Sequence, residues 1–356
     1  MKPLIKRLRN SGPVASAAAF IQSRLSVGVA GVPCVTNMTG KSPAAAFICD
    51  EMTWLNYGGE CDAVFVTPGG WREAFEQNNP ALFFCESAWA GIDGAKNCWR
   101  GQIYRDRRVW FDNRRALLDI LDHCRENNIS TVFWNKEDPL FFNDKIYDFT
   151  DTALRFDRIL TTAAECVTRY EELGAKRVSI WRFGFPEAVF YPPEAEGREN
   201  IAVFAGSWNG DQEERRRELE RLLNFVIAAG ISPVIYDRHS EDRRRRFPSK
   251  YAPYIRKAVP YRELGEIYRR ASYVLNVNTV SNSETMFSRR VYEAMACGCI
   301  VISSPAAGLE LEFPGRIWIP GRPFDASNIP KIREENIHHV FEFHTCNKRW
   351  AELMLK

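Results

Sequence analysis

Short apolar runs alternate with longer amphipathic stretches along the 356-residue chain. Runs at Ala46–Cys49, Ala63–Thr67, Ala81–Cys85, Thr131–Trp134 and Arg158–Leu160 have the length of buried strands. Between Arg107 and Asn127, Leu117, Leu118, Leu121 and Cys124 share one face, which predicts a long helix. Punctuation follows at Phe183-Gly184-Phe185-Pro186, at Tyr191-Pro192-Pro193 and in the polar stretch 194–199. The alternation then restarts. Strands are predicted at Ile201–Ala205, Pro233–Tyr236, Tyr273–Val277 and Cys299–Ser303, with helices at Gln212–Ala229, Tyr261–Arg270 and Ser288–Ala296. Strands separated by helices imply parallel sheets covered on both faces. Two such blocks in succession predict an α/β protein of two doubly wound domains.

Composition changes this picture little. Hydrophobic residues make up 45% and charged residues 26%, which excludes a largely disordered chain. A net charge of +3 is too small to argue for nucleic acid as a partner. Arg215, Arg216 and Arg217 follow Glu213 and Glu214 in a helical pattern, and read as a solvated helix face. A second basic run, Arg243 to Arg246, faces either water or an anionic acceptor. The ten cysteines form no CxxC pair and several lie in apolar runs, which suits reduced thiols in a cytoplasmic protein. Cys297 and Cys299 flank Gly298 without nearby histidines, so they complete no metal site. No run reaches the ~18 apolar residues of a membrane span. The basic start, Met1 to Arg9, and the short apolar Val14–Ile21 read as a surface helix or as a peripheral contact with the inner face of an anionic membrane.

Two segments carry chemistry. Phe204-Ala205-Gly206-Ser207-Trp208-Asn209-Gly210 joins a strand to a helix. A glycine there admits a ligand close to the backbone, and a helix start favours an anion such as a diphosphate. The second segment runs from Ser281 to Ser304. Its helix begins near Ser288, ends at Gly298 and carries Arg289, Arg290 and Glu293. Arg290 and Glu293 are three apart and share one face. A carboxylate there can take the hydroxyls of a ribose, and an arginine can hold phosphate oxygens through its planar fork. In the first half, Asp50, Glu51, Glu86 and Asp138 sit at strand ends. Asp50, Glu86 and Asp138 are candidates for a catalytic base, with Glu51 beside them as an acceptor contact. Glu86 is preferred because Trp89, three residues on, offers a surface for a sugar.

The second segment resembles the donor-domain signature of GT-B glycosyltransferases, whose helix carries a ribose-binding glutamate. Glu293 matches that glutamate. Larger retaining families carry a further glutamate eight positions earlier. Here that position is Thr285, and the nearest acid is Glu284. From about residue 46 onward the chain resembles more closely the CgeB-like family, named after a spore maturation protein. The matching pieces are Asp50–Thr53, Phe83–Trp89, Phe133–Pro139, Ala205–Trp208, Val259–Tyr261, Leu275–Asn276, Arg290–Gly298, and His344, Thr345 and Arg349.

The resemblance implies two Rossmann-like domains facing a central cleft. Residues 1–185 would form the acceptor-side domain, and 186–330 the donor domain. Residues 331–356 would be a helix returning to the first. It also implies a donor site of Gly206, Ser207, Val259, Pro260, Arg289, Arg290 and Glu293, no metal and no cofactor. The expected reaction moves a sugar from a nucleotide sugar, preferably a UDP-sugar, to a glycan, lipid-linked or protein acceptor. A retaining outcome is favoured by the Glu293 helix. Two other readings share this shape, a nucleotide-sugar epimerase and a non-catalytic nucleotide-sugar-binding protein.

Overall fold

The structure is a computed structural model describing residues 32–41, 44–194, 197–208, 212–239, 242 and 245–355. The basic N-terminal segment, Asn209, Gly210, Arg243 and Arg244 lie outside the described residues. The chain divides into two compact units, Met1–Trp181 and Arg182–Lys356.

The first unit is built on a seven-stranded sheet. Its strands are β1 (Val35–Asn37), β2 (Ala45–Ile48), β3 (Ala63–Phe65), β4 (Leu82–Glu86), β5 (Ser130–Asn135), β6 (Arg158–Thr161) and β7 (Val178–Ile180). They lie in the order β1-β3-β2-β4-β5-β6-β7. Only β1 runs antiparallel, beside β3. The helices are α1 (Glu51–Tyr57), α2 (Trp71–Asn78), α3 (Arg115–Glu126), α4 (Phe149–Ala153) and α5 (Glu165–Glu172). β2 and β4 are buried throughout, as expected of parallel strands covered on both faces. The helix predicted from Arg107 begins only at Arg115. Asn113 explains the delay: its side-chain amide donates to the carbonyls of Gly101 and Tyr104, and its oxygen accepts from the Asp106 N–H. These bonds hold the preceding residues in a turn.

The second unit carries a fully parallel sheet in the order β10-β9-β8-β11-β12. Its strands are β8 (Glu199–Gly206), β9 (Ser232–Asp237), β10 (Ile255–Lys257), β11 (Ala271–Asn276) and β12 (Ile300–Ser303). The helices are α6 (Glu213–Ala228), α7 (Leu264–Arg270), α8 (Arg290–Ala296), α9 (Ala307–Glu312), α10 (Ile329–Phe343) and α11 (Cys346–Leu355). On α6, Leu219, Leu222, Leu223 and Val226 recur at helical spacing and pack with Phe204, Ile235 and Leu275 in one core layer. The other layer gathers Val291, Ala294 and Met295 of α8 with Val203, Val274 and Val301. The α8 N-cap is Arg289 rather than Ser288, and no side chain caps it. Gly298, at φ +73°, turns the chain after the helix as the sequence predicts.

In both sheets the strand order reverses beside the first strand of the doubly wound set. In the first unit this falls between β2 and β4, and in the second between β8 and β11. Ligands of open α/β sheets bind outside the carboxyl ends of the strands at such switch points.

A polar network ties the last helices into the second unit. α10 packs on α8 and β12. Glu312 on α9 accepts at Oε1 from His339 (3.0 Å) and His344 (2.8 Å), and its Oε2 pairs with Arg182. Arg349 donates to His344 Nδ1 at 2.6 Å. A guanidinium only donates, so Nδ1 carries no proton and Nε2–H donates to Glu312. Burial, which opposes charging the ring, pushes His344 down to about 4 in spite of the Glu312 bond. Burial raises Glu312, but the bonds from the two histidines and the Arg182 charge hold it well below the usual carboxylate range.

In the unfolded chain His344 takes up its proton near pH 6.5, whereas the folded chain refuses it until about 4. Stability is therefore present above pH 6.5 and is lost as the pH falls toward 4. The expected loss is up to about 3 kcal/mol. Chemical denaturation of the wild type between these values should show the loss, and His344→Gln should flatten the dependence.

Candidate functional site

The second unit's switch point collects positive charge. β8 ends at Gly206, and the three carbonyls around it each meet an arginine residue. Arg290 Nη2 donates to Ala205 O at 2.6 Å, the Arg238 backbone N–H to Gly206 O at 3.1 Å, and Arg215 Nη1 to Ser207 O at 3.3 Å. Arg290 also lies over the Phe204 ring, 5.0 Å from its centroid. Gly206 is required for this approach. A Cβ there would stand 2.8 Å from the Phe204 ring and 3.4 Å from Arg290 Nη2.

Among the described residues, no carboxylate pairs with Arg215, Arg238 or Arg290. Burial and the neighbouring guanidinium charges push both Arg215 and Arg238 down, to about 10. Arg238 keeps an exposed surface, so solvent softens the effect there. Each guanidinium has five donors, and only a few are used. Most of these donors point to no protein acceptor among the described residues.

Glu293 lies beside this cluster on α8 and is 3% exposed. Its Oε1 accepts from the Tyr261 hydroxyl and from Arg289 Nε, each at 2.8 Å. Its Oε2 has no protein partner among the described residues. The carboxylate is thus anchored on one side and open on the other. Val259 is half-buried and Pro260 exposed, directly before the turn that carries Tyr261. Ser207 is buried and contributes its carbonyl. The structure therefore brings together Gly206, Ser207, Arg289, Arg290 and Glu293, with Val259 and Pro260 adjoining through Tyr261. Sequence reasoning missed Arg215 and Arg238. Arg215 sits in the first turn of a helix that follows a glycine-bearing strand end, and Arg238 directly follows a strand. Those positions were the available signals.

The first unit's switch point is organised differently. Glu86 ends β4 with no exposed surface. Its Oε1 accepts from the Asp50 N–H (2.6 Å) and its Oε2 from the Thr53 hydroxyl (2.5 Å). Lys136 Nζ stands 2.9 Å from both Glu86 Oε1 and Asp50 Oδ2. Asp50 Oδ1 also accepts backbone N–H groups from Trp89 (3.0 Å), Ala90 (2.7 Å) and Gly91 (2.9 Å). Burial pushes Glu86 up. Burial acts the same way on Asp50, but Lys136 and the backbone donors hold it below its ordinary value. Burial opposes the Lys136 charge, yet the two carboxylates keep it above the lysine range. Asp138 is also buried: Oδ1 accepts from Asn135 (2.8 Å) and Oδ2 from Thr161 (2.7 Å), and burial pushes it up to about 7. Glu51 opens α1 and accepts the Asp93 N–H at 2.6 Å. Trp89 is half-buried, its indole donating to Glu137 Oε1 at 2.9 Å.

Glu312, His339 and His344 bring three potential metal-ligand atoms within 4.8 Å of one another. Arg349 fixes the proton of His344 on Nε2, the atom that would have to bind the ion. The trio is therefore arranged as a hydrogen-bond network.

Compared with solved structures, the chain aligns over 89% of its length with all of an α-glucosyltransferase in complex with UDP and a 13-mer DNA. The TM-score is 0.55 at 12% identity. The fold is that of the GT-B glycosyltransferases. Alr3699/HepE of Anabaena, in complex with UDP-glucose, aligns at TM-score 0.50 and 11% identity over 88% of this chain and 99% of its own. Residues 213–355 match the model of a family described as glycosyl transferase-like. No curated protein matches the sequence. Among the described residues no helix is long and apolar enough to cross a membrane.

Lys136 stands between two carboxylates at the first switch point, the buried Glu86 and the half-buried Asp50. Lys136→Met leaves those carboxylates facing each other, and should destabilise the first unit by about 3–5 kcal/mol. Thermal unfolding followed by near-UV circular dichroism would register the loss.

Proposed function

We propose that this chain is a glycosyltransferase that takes its sugar from a nucleoside-diphosphate sugar, with UDP as the favoured nucleotide. The observation that carries this reading is the cluster of Arg215, Arg238 and Arg290 at the β8 and β9 ends, charged and without carboxylate partners among the described residues. Such a cluster is costly to assemble unless an anion completes it. A diphosphate supplies the matching charge. Glu293 Oε2, open beside the cluster, would accept the ribose hydroxyls. The family match spans the stretch that carries Arg215, Arg238, Arg289, Arg290 and Glu293. The two structural neighbours bind UDP or UDP-glucose.

In the reaction, an acceptor hydroxyl oxygen attacks the anomeric carbon and loses its proton. The bond from that carbon to the diphosphate oxygen breaks, and the diphosphate leaves with the electron pair. Arg215, Arg238 and Arg290 meet the developing charge, which is the largest contribution a protein makes to such a step. With three guanidinium groups in place, no metal or cofactor is required in this reading. The proposed acceptor is a glycan, a lipid-linked intermediate or a protein. One neighbour is bound to DNA, but the small net charge of this chain gives nucleic acid no support. Within the fold we place the chain with the CgeB-like family, on the strength of the Phe133–Pro139, Leu275–Asn276 and Arg290–Gly298 segments.

UDP should raise the unfolding temperature of the wild type. At one hundred times its dissociation constant the stabilisation is about 2.7 kcal/mol. Arg290→Ala should weaken UDP at least tenfold by calorimetry, and Glu293→Ala by several-fold. Stabilisation by none of UDP, GDP, ADP, CDP or dTDP would overturn the reading. Nucleotide release that needs an added acceptor separates transfer from epimerisation, which needs none, and from simple binding, which releases none.

A further inference from the structure

Trp89 stands at the centre of an aromatic cluster beyond the carboxyl ends of β4 and β5. Its ring lies 5.1 Å from Phe149, 5.2 Å from Tyr147, 5.5 Å from Phe141 and 5.9 Å from Tyr104, centroid to centroid. Phe149 is fully buried and forms the floor. Trp89, Tyr104, Phe141 and Tyr147 are each half-buried, so the cluster keeps an open rim. Two loops carry it, and backbone bonds staple them together. Arg105 donates to Asp148 O at 3.0 Å, and Asp148 donates back to Arg105 O at 3.3 Å. The buried Asp148 carboxylate also pairs with Arg107. The rim is thus held in place before any ligand arrives.

Three polar groups on this rim have no hydrogen-bond partner among the described residues: the Tyr104 hydroxyl, the Tyr147 hydroxyl and Glu137 Oε2. The two tyrosine rings stand 5.1 Å apart. Burial, then the neighbouring Tyr147, pushes Tyr104 up to about 12, so its hydroxyl keeps its proton and donates. Glu137 is fixed by the Trp89 indole at Oε1, which aims the other oxygen. An apolar aromatic surface edged by a few fixed polar groups is the make-up of a small-molecule site. A sugar ring matches this one. Its C–H face lies on aromatic rings, and its hydroxyls pair with donors and acceptors around the edge.

We propose that this rim is a subsite for a sugar ring of the acceptor, in which Trp89, Tyr104 and Tyr147 carry the ring and Glu137 Oε2 accepts a hydroxyl hydrogen bond. The inference rests on the reading of the chain as a glycosyltransferase, and assigns its acceptor a saccharide end. It keeps Trp89 as an acceptor contact and adds Glu137 beside it, whereas Glu86, the preferred candidate base, has both oxygens engaged inside the protein.

The full chain is tested, with UDP present, on an array of immobilised mono- and oligosaccharides, and a retained saccharide is then titrated in solution. The wild type should retain at least one saccharide. Glu137→Gln, Tyr104→Phe and Tyr147→Phe keep the packing, and Glu137→Gln and Tyr147→Phe should each weaken it tenfold or more without changing the UDP-induced thermal shift. Trp89→Ala should abolish retention. No saccharide retained by a chain that UDP still stabilises would overturn this inference and leave the transferase reading standing. Saccharide bound equally by wild type and all three conservative variants would overturn it too. A chain that retains neither UDP nor saccharide would remove both.

Discussion

The second unit depends on holding Arg215, Arg238 and Arg290 near one another with no compensating carboxylate among the described residues. Like charges at close range repel, and burial adds a further cost because each guanidinium gives up part of its water. The fold absorbs this through the backbone. The carbonyls of Ala205 and Ser207 accept from the guanidinium groups of Arg290 and Arg215, and the Phe204 ring lies under Arg290. Gly206 makes the close approach sterically feasible. The position is also where the parallel sheet leaves a crevice, between β8 and β11. The cost to stability is therefore concentrated at one place, where the proposed diphosphate would relieve it.

The first unit meets the same topological constraint in the opposite way. Its switch point, between β2 and β4, also gathers charge, but Lys136 is set between Asp50 and Glu86 and the loop N–H groups close around Asp50. The charge there is resolved internally, and each oxygen is engaged. This buried group holds the loop that carries Trp89 and anchors Lys136, next to Glu137. Removing one partner of such a group is expensive, because the remaining charges stay buried. One sheet architecture thus yields an internally paired charge group in one unit and a cluster of guanidinium groups in the other.

Much of this was legible in the sequence. The alternation of apolar runs and amphipathic stretches located nine of the buried strands, because strands covered on both faces must be apolar throughout. β1, β7 and β10 escaped, each three residues long and partly exposed, with too little burial to leave a pattern. Gly206, Arg290 and Glu293 were legible because a strand end, a glycine and a helix start are local features. Arg215 was not. Glu213, Glu214, Arg216 and Arg217 surround it with solvated charges, and periodicity reports the average of a helix face rather than one first-turn side chain over a strand end. Arg238 stands alone in sequence, and its role exists only once β9 lies beside β8.

The carboxylates show why identity and position along a strand were not enough to rank them. Asp50, Glu86 and Asp138 all occupy strand ends, yet each has both oxygens held by protein donors. A carboxylate so satisfied gains nothing from a ligand and loses its existing bonds if it turns toward one. Glu293 and Glu137 differ in a single respect: one oxygen is anchored, by Tyr261 and Arg289 in the first case and by Trp89 in the second, while the other has no partner among the described residues. Anchoring removes the entropy that a mobile side chain would lose on binding, and the open oxygen retains its capacity to accept. Half-satisfaction, rather than charge or burial alone, separates Glu293 and Glu137 from the carboxylates whose two oxygens are both held inside the protein.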